Sequence, residues 1–175
     1  MKNTGKIALC GVMSALSMAI MLLSYLPITE YAVPAMAGIV FIILVIETDY
    51  KWAFLSFAAA SVLVILFAAQ EAKIMFLAFF GYYPILKGII EKLKKIALEI
   101  VIKVLIFNVA VVSAYSLLVI VLKIPIDDMG ILGKYGILVL WVFGNLTFLI
   151  YDFALTQIVT IYLKTLHPKL KKLIK

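Results

Sequence analysis

Arginine is absent from this sequence of 175 residues, and cysteine and histidine occur only once each, as Cys10 and His167. A single cysteine allows no disulfide within the chain, and one cysteine with one histidine is too few for a Cys/His metal cluster or a histidine-based triad. The sixteen basic residues are all lysines, whereas bidentate recognition of phosphates and bases is mostly made by arginine. We therefore expect no metal and no nucleic-acid partner, despite a net charge of +7.

Charged residues of either sign are also scarce. They make up 14% of the chain, against about 25% in soluble proteins. Hydrophobic residues make up 66%, and the mean hydropathy is +1.21. A chain of this length cannot bury so much apolar surface in one aqueous core, because small domains have a high ratio of surface to volume. The composition excludes a water-soluble domain and a disordered chain, and predicts an integral membrane protein.

The motifs of common enzymes are missing as well. The sequence has no Gly-x-x-x-x-Gly-Lys-Ser/Thr phosphate loop, no His-Glu-x-x-His zinc motif and no Gly-x-Ser-x-Gly nucleophile turn. The adjacent carboxylates Asp127 and Asp128 lie in a predicted outer loop, where solvated acids are favoured over an acid–base pair. We expect neither catalytic residues nor a cofactor, so a membrane enzyme is the weakest interpretation.

Six apolar runs, separated by short polar stretches, predict six transmembrane helices, since a helix needs ~20 residues to cross the bilayer. No linker or repeat divides them, so we expect residues 1–175 to form one domain. The first run is longer than the apolar region of a cleaved signal peptide and is expected to remain as a permanent helix. The runs are Ile7–Leu26, Ala32–Ile46, Trp52–Ala69, Ile74–Ile90, Ile96–Leu122 and Gly136–Leu163.

Lysines near the helix ends predict the orientation, because cytoplasmic loops carry an excess of positive charge. With both termini in the cytoplasm, eleven lysines lie on the inner side and three, Lys73, Lys123 and Lys134, on the outer side. Lys87 and Lys103 lie within helices, in snorkelling reach of the inner face. The predicted fold class is thus an all-α, six-span protein of a bacterial plasma membrane with cytoplasmic termini. The inner lysines are Lys2, Lys6, Lys51, Lys92, Lys94, Lys95, Lys164, Lys169, Lys171, Lys172 and Lys175.

Polar and aromatic side chains converge towards the outer halves of the predicted helices. Trp141 and Asn145 share a face of the sixth helix, and Asn108 lies at mid-depth in the fifth. Rings that stack a flat molecule, with a few amides and hydroxyls to orient it, are typical of a small-molecule site. Packing in the core or at the membrane interface is the structural alternative. The predicted substrate-binding residues are Glu30, Tyr31, Glu71, Tyr82, Tyr83, Asn108, Tyr115, Trp141 and Asn145.

Asp152 lies deeper in the sixth helix. An unpaired carboxylate inside the membrane is costly, so a cationic partner is expected, and Lys103 or Lys87 can supply it. A static ion pair is favoured over a proton relay. Glu99 competes for Lys103, because the two are four residues apart on one helix.

The first helix carries small residues at positions 8, 11, 15 and 19, which share one face. Such a face allows close approach of another helix, either a neighbour in the same chain or a partner protein. This segment, "IALCGVMSALSMAIMLL", together with "YAVPAMAG" at residues 31–38, resembles the substrate-binding S components of energy-coupling factor vitamin transporters. The resemblance implies that Gly11, Ala15 and Ala19 dock on the coupling membrane subunit.

The resemblance also implies a function. It makes the chain the subunit of an ABC-type importer that captures a vitamin or related micronutrient from outside, with the coupling subunit and two ATPase subunits as partners. A six-span scaffold protein of the cell envelope, which docks a partner but takes up no ligand, is the alternative from another class. An outward-opening pocket and a ligand that copurifies with the chain distinguish the importer from the scaffold.

Overall fold

A computed structural model of the chain describes residues 3–26, 29, 32–122 and 136–168, and every regular element within them is a helix. A 3-10 turn, Leu22–Tyr25, continues the first helix. A π-helical segment, Phe76–Phe80, joins the fourth helix to the fifth, and a second 3-10 turn, Glu91–Leu93, follows the fifth. The α-helices are α1 (Asn3–Met21), α2 (Ala32–Glu47), α3 (Tyr50–Phe67), α4 (Gln70–Met75), α5 (Tyr83–Ile90), α6 (Ile96–Leu122) and α7 (Gly136–Thr165).

Five helical stretches of the described chain are long and apolar enough to cross a membrane, which is compatible with a multi-pass membrane protein. The remaining expected span, α2, is apolar but has sixteen residues, fewer than the ~20 that a perpendicular crossing needs. The five stretches are Asn3–Tyr25, Tyr50–Phe67, Gln70–Leu93, Ile96–Ser116 and Trp141–Thr165.

The polar pair Gln70 and Glu71 begins a helix. In the sequence these residues separate the third and fourth apolar runs, and the fourth span was expected to start at Ile74. The structure places them in the first turn of α4. A carboxylate is favourable there, because the first turn of a helix has free backbone N–H groups and a partial positive charge.

Two hydrophobic cores hold the helices together. In the first, α1, α2 and α3 pack against the π segment around Met21, Phe41 and Phe76, which are fully buried. The second core joins α2, the π segment, α6 and α7, and contains Phe79 and Phe148. The candidate site described below lies beside this second core.

Small polar side chains let α1 lie close to its two neighbours. Ser14 Oγ lies 2.8 Å from Ser56 Oγ of α3, and Ser56 donates a hydrogen bond to the Cys10 carbonyl over 3.0 Å. Ser17 donates to the Ala37 carbonyl of α2 over 3.1 Å. In lipid, close packing and hydrogen bonds between helices replace the hydrophobic effect as the source of association. The face of α1 that packs within the chain is therefore the one that carries these serines.

Gly38 lies where α2 approaches the π segment closely. A Cβ atom at this position would collide with the carbonyl group of Phe80. Because that obstacle is backbone, a larger residue requires one of the two helices to move. The π segment itself is closed by a hydrogen bond from the Gly81 N–H to the Phe76 carbonyl, 2.8 Å long and spanning five residues. Such segments are rare and are frequently found at functional sites.

Polar contacts join the helix ends on the side predicted to face the cytoplasm. Lys6 of α1 donates to Asp49, between α2 and α3, over 2.8 Å. This hydrogen bond and the lysine charge hold the pKa of the exposed Asp49 carboxyl below its ordinary value. Glu47, at the end of α2, accepts a hydrogen bond from the Tyr162 hydroxyl over 2.7 Å and lies 2.8 Å from His167 Nδ1. The ends of α1, α2 and α7 are thus linked by side chains.

Candidate functional site

A cavity of about 340 Å³ lies between the π segment, α6 and α7. This volume is at the lower end of the roughly 300–1,000 Å³ that is usual for small-molecule sites. Small residues on all three elements, Ala78, Ala110 and Gly144, leave the space open. None of the described residues that line the cavity is charged.

Five of the twelve described residues that line the cavity are aromatic. Phe107 and Phe148 stack nearly parallel, with centroids 4.6 Å apart and 10° between their planes. Phe79 meets both of these rings edge-on, at 5.4 and 5.8 Å. Phe80 meets the Tyr151 ring edge-on at 5.3 Å. These are arrangements that the quadrupoles of aromatic rings favour, so the rings hold one another in place around the cavity.

Tyr151, one of the lining residues, also carries a hydroxyl group. Its hydroxyl oxygen is buried and has no hydrogen-bond partner within the part of the chain that the structure describes. An unsatisfied buried polar group costs ~1–3 kcal/mol, and most buried polar groups of native proteins do have partners. A bound molecule with a hydrogen-bonding atom would remove this cost.

Tyr83 links the cavity wall to a buried cluster of charges. Its ring stacks on Phe79, with centroids 4.5 Å apart, and its hydroxyl donates to Asp152 over 2.6 Å. Asp152 also accepts hydrogen bonds from Lys87, at 2.7 Å, and from Lys103, at 3.0 Å. The expected cationic partner of Asp152 is therefore confirmed, with two lysines bound at once.

Glu91 completes the charge cluster. Its carboxylate lies 2.6 Å from Lys87 Nζ and 2.9 Å from Lys103 Nζ, so two positive charges face two negative ones. The lysine side chains are only 2% and 8% exposed, because Asp152 and Glu91 bind both of them between the helices. Within the described residues Lys103 pairs with these two acids and not with Glu99, its expected competitor. Buried charges are tolerated when they are paired in this way.

The amide cluster, Asn108 with Trp141 and Asn145, joins α6 to α7 beside the cavity. Trp141 Nε1 donates to Asn108 Oδ1 over 2.6 Å, and Asn108 Nδ2 donates to Asn145 Oδ1 over 2.9 Å. The three predicted site residues are thus brought together, but they satisfy one another and do not line the cavity. Their role in substrate binding stays a prediction.

The other predicted site residues are scattered. Tyr82 packs edge-on against Phe57 and donates to the Ala78 carbonyl over 2.5 Å. Glu71 lies in the first turn of α4, and Tyr115 is exposed on α6. None of these three lines the cavity. Two predicted substrate-binding residues, Glu30 and Tyr31, lie outside the described part of the chain, and so do the predicted loop acids Asp127 and Asp128.

Sequence reasoning missed the phenylalanines of the cavity wall and Tyr151. A signal for them exists in the spacing of α7, where Gly144, Phe148 and Tyr151 are four and three residues apart and so share one face. On α6, Phe107 and Ala114 are seven residues apart, again on one face. Facing stripes of alternating small and aromatic residues indicate a space lined by rings.

A second, separate surface lies on α1. Gly11, Ala15 and Ala19 are exposed, and a Cβ atom at Gly11 would meet nothing within 4 Å in the described residues. A groove of about 390 Å³ lies between α1 and α3, and Gly11, Ala15 and Ala59 are among its lining residues, whereas Ala19 is not. The neighbours of α1 in the same chain therefore pack on its serine face and leave the small-residue face uncovered.

Comparison of the chain with protein-family models, with curated proteins and with solved structures finds no match in any of the three sets. Similarity therefore assigns neither a family nor a fold. The cavity, the charge cluster and the α1 groove are the features from which a function has to be inferred.

Proposed function

We propose that this chain is the substrate-capturing membrane subunit of an importer of the energy-coupling factor type. It binds a small, vitamin-like molecule from outside the cell. It docks through α1 on a coupling membrane subunit that is joined to two ATPase subunits. In this proposal the chain crosses a bacterial plasma membrane six times, α2 being the sixth span, and both termini lie in the cytoplasm.

The observation that carries the proposal is that the cavity and the groove are lined by different helices. The cavity is lined by the fourth span, α6 and α7, whereas the groove is lined by α1 and α3. A subunit that captures a ligand and works with a partner needs both surfaces. Their separation lets a partner dock on α1 without covering the ligand. A scaffold protein needs the groove alone, so the cavity favours the importer.

The exposed face of α1 supports docking on another membrane protein. Glycine and alanine at these positions let a second helix approach to backbone contact, which is how helices associate in lipid. Ala15 lines the groove and is exposed. A leucine at this position would project into the groove and hold a partner helix away.

The test is the association of the full chain with a purified coupling module of the same cell, reconstituted together in lipid nanodiscs. The wild-type chain is expected to form a stable complex with the coupling subunit and its two ATPases. Ala15→Leu is expected to weaken this association at least tenfold. The matched control is Ala154→Leu, the same change at an exposed position of α7 outside the groove, which should associate like the wild type.

Two results would contradict the proposal. One is a wild-type chain that does not bind the coupling module under these conditions. The other is an Ala15→Leu chain that binds as tightly as the control. In either case the α1 face does not dock on an energy-coupling partner, and the scaffold alternative gains support.

A further inference from the structure

We infer that the cavity between the π segment, α6 and α7 binds an uncharged, flat aromatic molecule that presents a hydrogen-bond acceptor to the hydroxyl of Tyr151. The inference names the substrate class of the proposed importer. That this molecule is transported rests on the proposed function, whereas its binding to the cavity does not.

The charge of the ligand follows from the cavity wall. None of the described lining residues is charged, and a charged molecule placed there would lose its hydration without gaining an ion pair. The charge cluster that Tyr83 links to the cavity wall is already neutralised, because Lys87 and Lys103 face Asp152 and Glu91. The Tyr83 hydroxyl is likewise used by Asp152. An uncharged ligand is therefore the one that this cavity stabilises.

The shape of the ligand follows from the rings. Phe107 and Phe148 stack nearly parallel with their centroids 4.6 Å apart, and Phe80 and Tyr151 add an edge-on ring pair to the wall. Aromatic walls favour a flat aromatic guest through offset stacking and edge contacts, beyond the area that is buried. The volume of about 340 Å³ suits a small molecule of one or two fused rings.

The hydrogen-bonding group of the ligand follows from Tyr151. Its buried hydroxyl lacks a partner within the described chain, and the O–H group is a donor as well as an acceptor. A lipid acyl chain fills the same space but leaves this hydroxyl unsatisfied. A ring nitrogen or a carbonyl oxygen can fill the space and accept the hydrogen bond once a rotation of the Tyr151 side chain turns the buried hydroxyl towards the cavity. An acceptor-bearing ring is therefore preferred over hydrocarbon.

The test uses two flat probes of nearly the same shape, quinoline and naphthalene, which differ by one acceptor nitrogen. Binding to the full chain in detergent is measured by equilibrium dialysis against micelles without protein. The affinity of each probe is compared between the wild type and Tyr151→Phe. Because the probe partitions equally into the micelles in both cases, this partition does not affect the ratio of the two affinities. We expect Tyr151→Phe to weaken quinoline binding by about 2- to 12-fold, the value of one net hydrogen bond. Naphthalene binding should be unchanged.

Gly144→Leu tests the location of the site. A Cβ atom at Gly144 has no contact closer than 3.9 Å, to the Phe107 ring, so the added side chain fits at its root and extends into the cavity. This variant should lose both probes while it elutes as a monodisperse, helical protein. If it is not folded, Ala114→Leu, at another lining position, replaces it.

Three results would overturn the inference: no binding of either probe to the wild type, the same quinoline affinity in the wild type and Tyr151→Phe, or full binding to a folded cavity-filling variant. The second result would mean that water or a lipid satisfies the hydroxyl. None of them depends on the coupling module. If the chain binds quinoline in this way but does not bind the coupling module, the ligand class is supported and the importer role is not. If it binds the module but not quinoline, the importer role is supported and the ligand class is not.

Discussion

Neutralising Asp152 is expected to destabilise the protein strongly. Its carboxylate accepts three hydrogen bonds, from Tyr83 at 2.6 Å, Lys87 at 2.7 Å and Lys103 at 3.0 Å. Asp152→Asn keeps the volume and an acceptor for Tyr83, but it leaves two buried lysines with Glu91 as their one remaining counter-charge. Breaking a buried ion pair by removing one partner costs about 3–5 kcal/mol. Because Glu91 still contacts both lysines, we expect the lower value, about 3 kcal/mol.

The expected loss corresponds to about a 100-fold change in the unfolding equilibrium. Reversible unfolding of the full chain in mixed micelles, followed by circular dichroism, measures it. The double variant Lys87→Met/Asp152→Asn leaves Lys103 with Glu91, a neutral pair 2.9 Å apart. It is therefore expected to be more stable than Asp152→Asn alone, since removal of both partners leaves no unpaired charge.

The matched control is Asp49→Asn, the same chemical change in an ion pair at the surface. Asp49 is 60% exposed and pairs with Lys6, and pairs of this kind contribute little to stability. The control should therefore unfold almost like the wild type. If Asp152→Asn also unfolds like the wild type, or if the double variant is less stable than Asp152→Asn, the ion pairs of this cluster do not hold α5, α6 and α7 together.

Two further predictions use residues outside the site. Gly38→Ala should lower the stability in detergent by about 1–3 kcal/mol, because its methyl group collides with the Phe80 carbonyl, whereas Gly11→Ala, in open space, should be neutral or slightly stabilising. Equal melting temperatures of the two variants would contradict the close approach of α2 and the π segment. Lys6→Ala should raise the pKa of Asp49 towards its ordinary value of 3.8, as measured by carboxyl carbon NMR. Because Lys6 lowers this pKa, the stabilising effect of the Lys6–Asp49 pair is present above pH 3.8 and disappears as the pH falls through the folded-state pKa. An unchanged titration of Asp49 in Lys6→Ala would exclude the contact.

Hydropathy predicted the helices because lipid requires each of them to satisfy its own backbone and to present apolar side chains. The partners of Asp152 were predictable for a related reason, since an unpaired charge in the membrane is too costly to leave alone. The sequence did not show that Lys87 and Lys103 bind it together. Glu91 was missed because it follows the fourth apolar run directly and reads as part of a polar loop.

The aromatic wall was harder to predict. In a helix that is apolar on all sides, a phenylalanine that lines a cavity and one that faces lipid are flanked by the same types of residue in the sequence. Polar residues such as Trp141, Asn145 and Asn108 are conspicuous in such a helix and therefore suggest a binding site, yet these three hydrogen-bond to one another. Tyr151 was overlooked because it precedes the more conspicuous Asp152.

The number of residues in the π segment sets the direction in which the side chains before and after it point. An α-helix turns by about 100° with each residue, and the bond from Gly81 to Phe76 encloses one residue more than an α-helical turn does. Everything after this turn is rotated relative to everything before it. Phe76 thereby packs against the rings of α2 and α3, while Lys87 reaches the carboxylate of α7. In a chain shortened by one residue here, a straight helix would satisfy one of these contacts at the expense of the other, so this stretch tolerates substitution better than deletion.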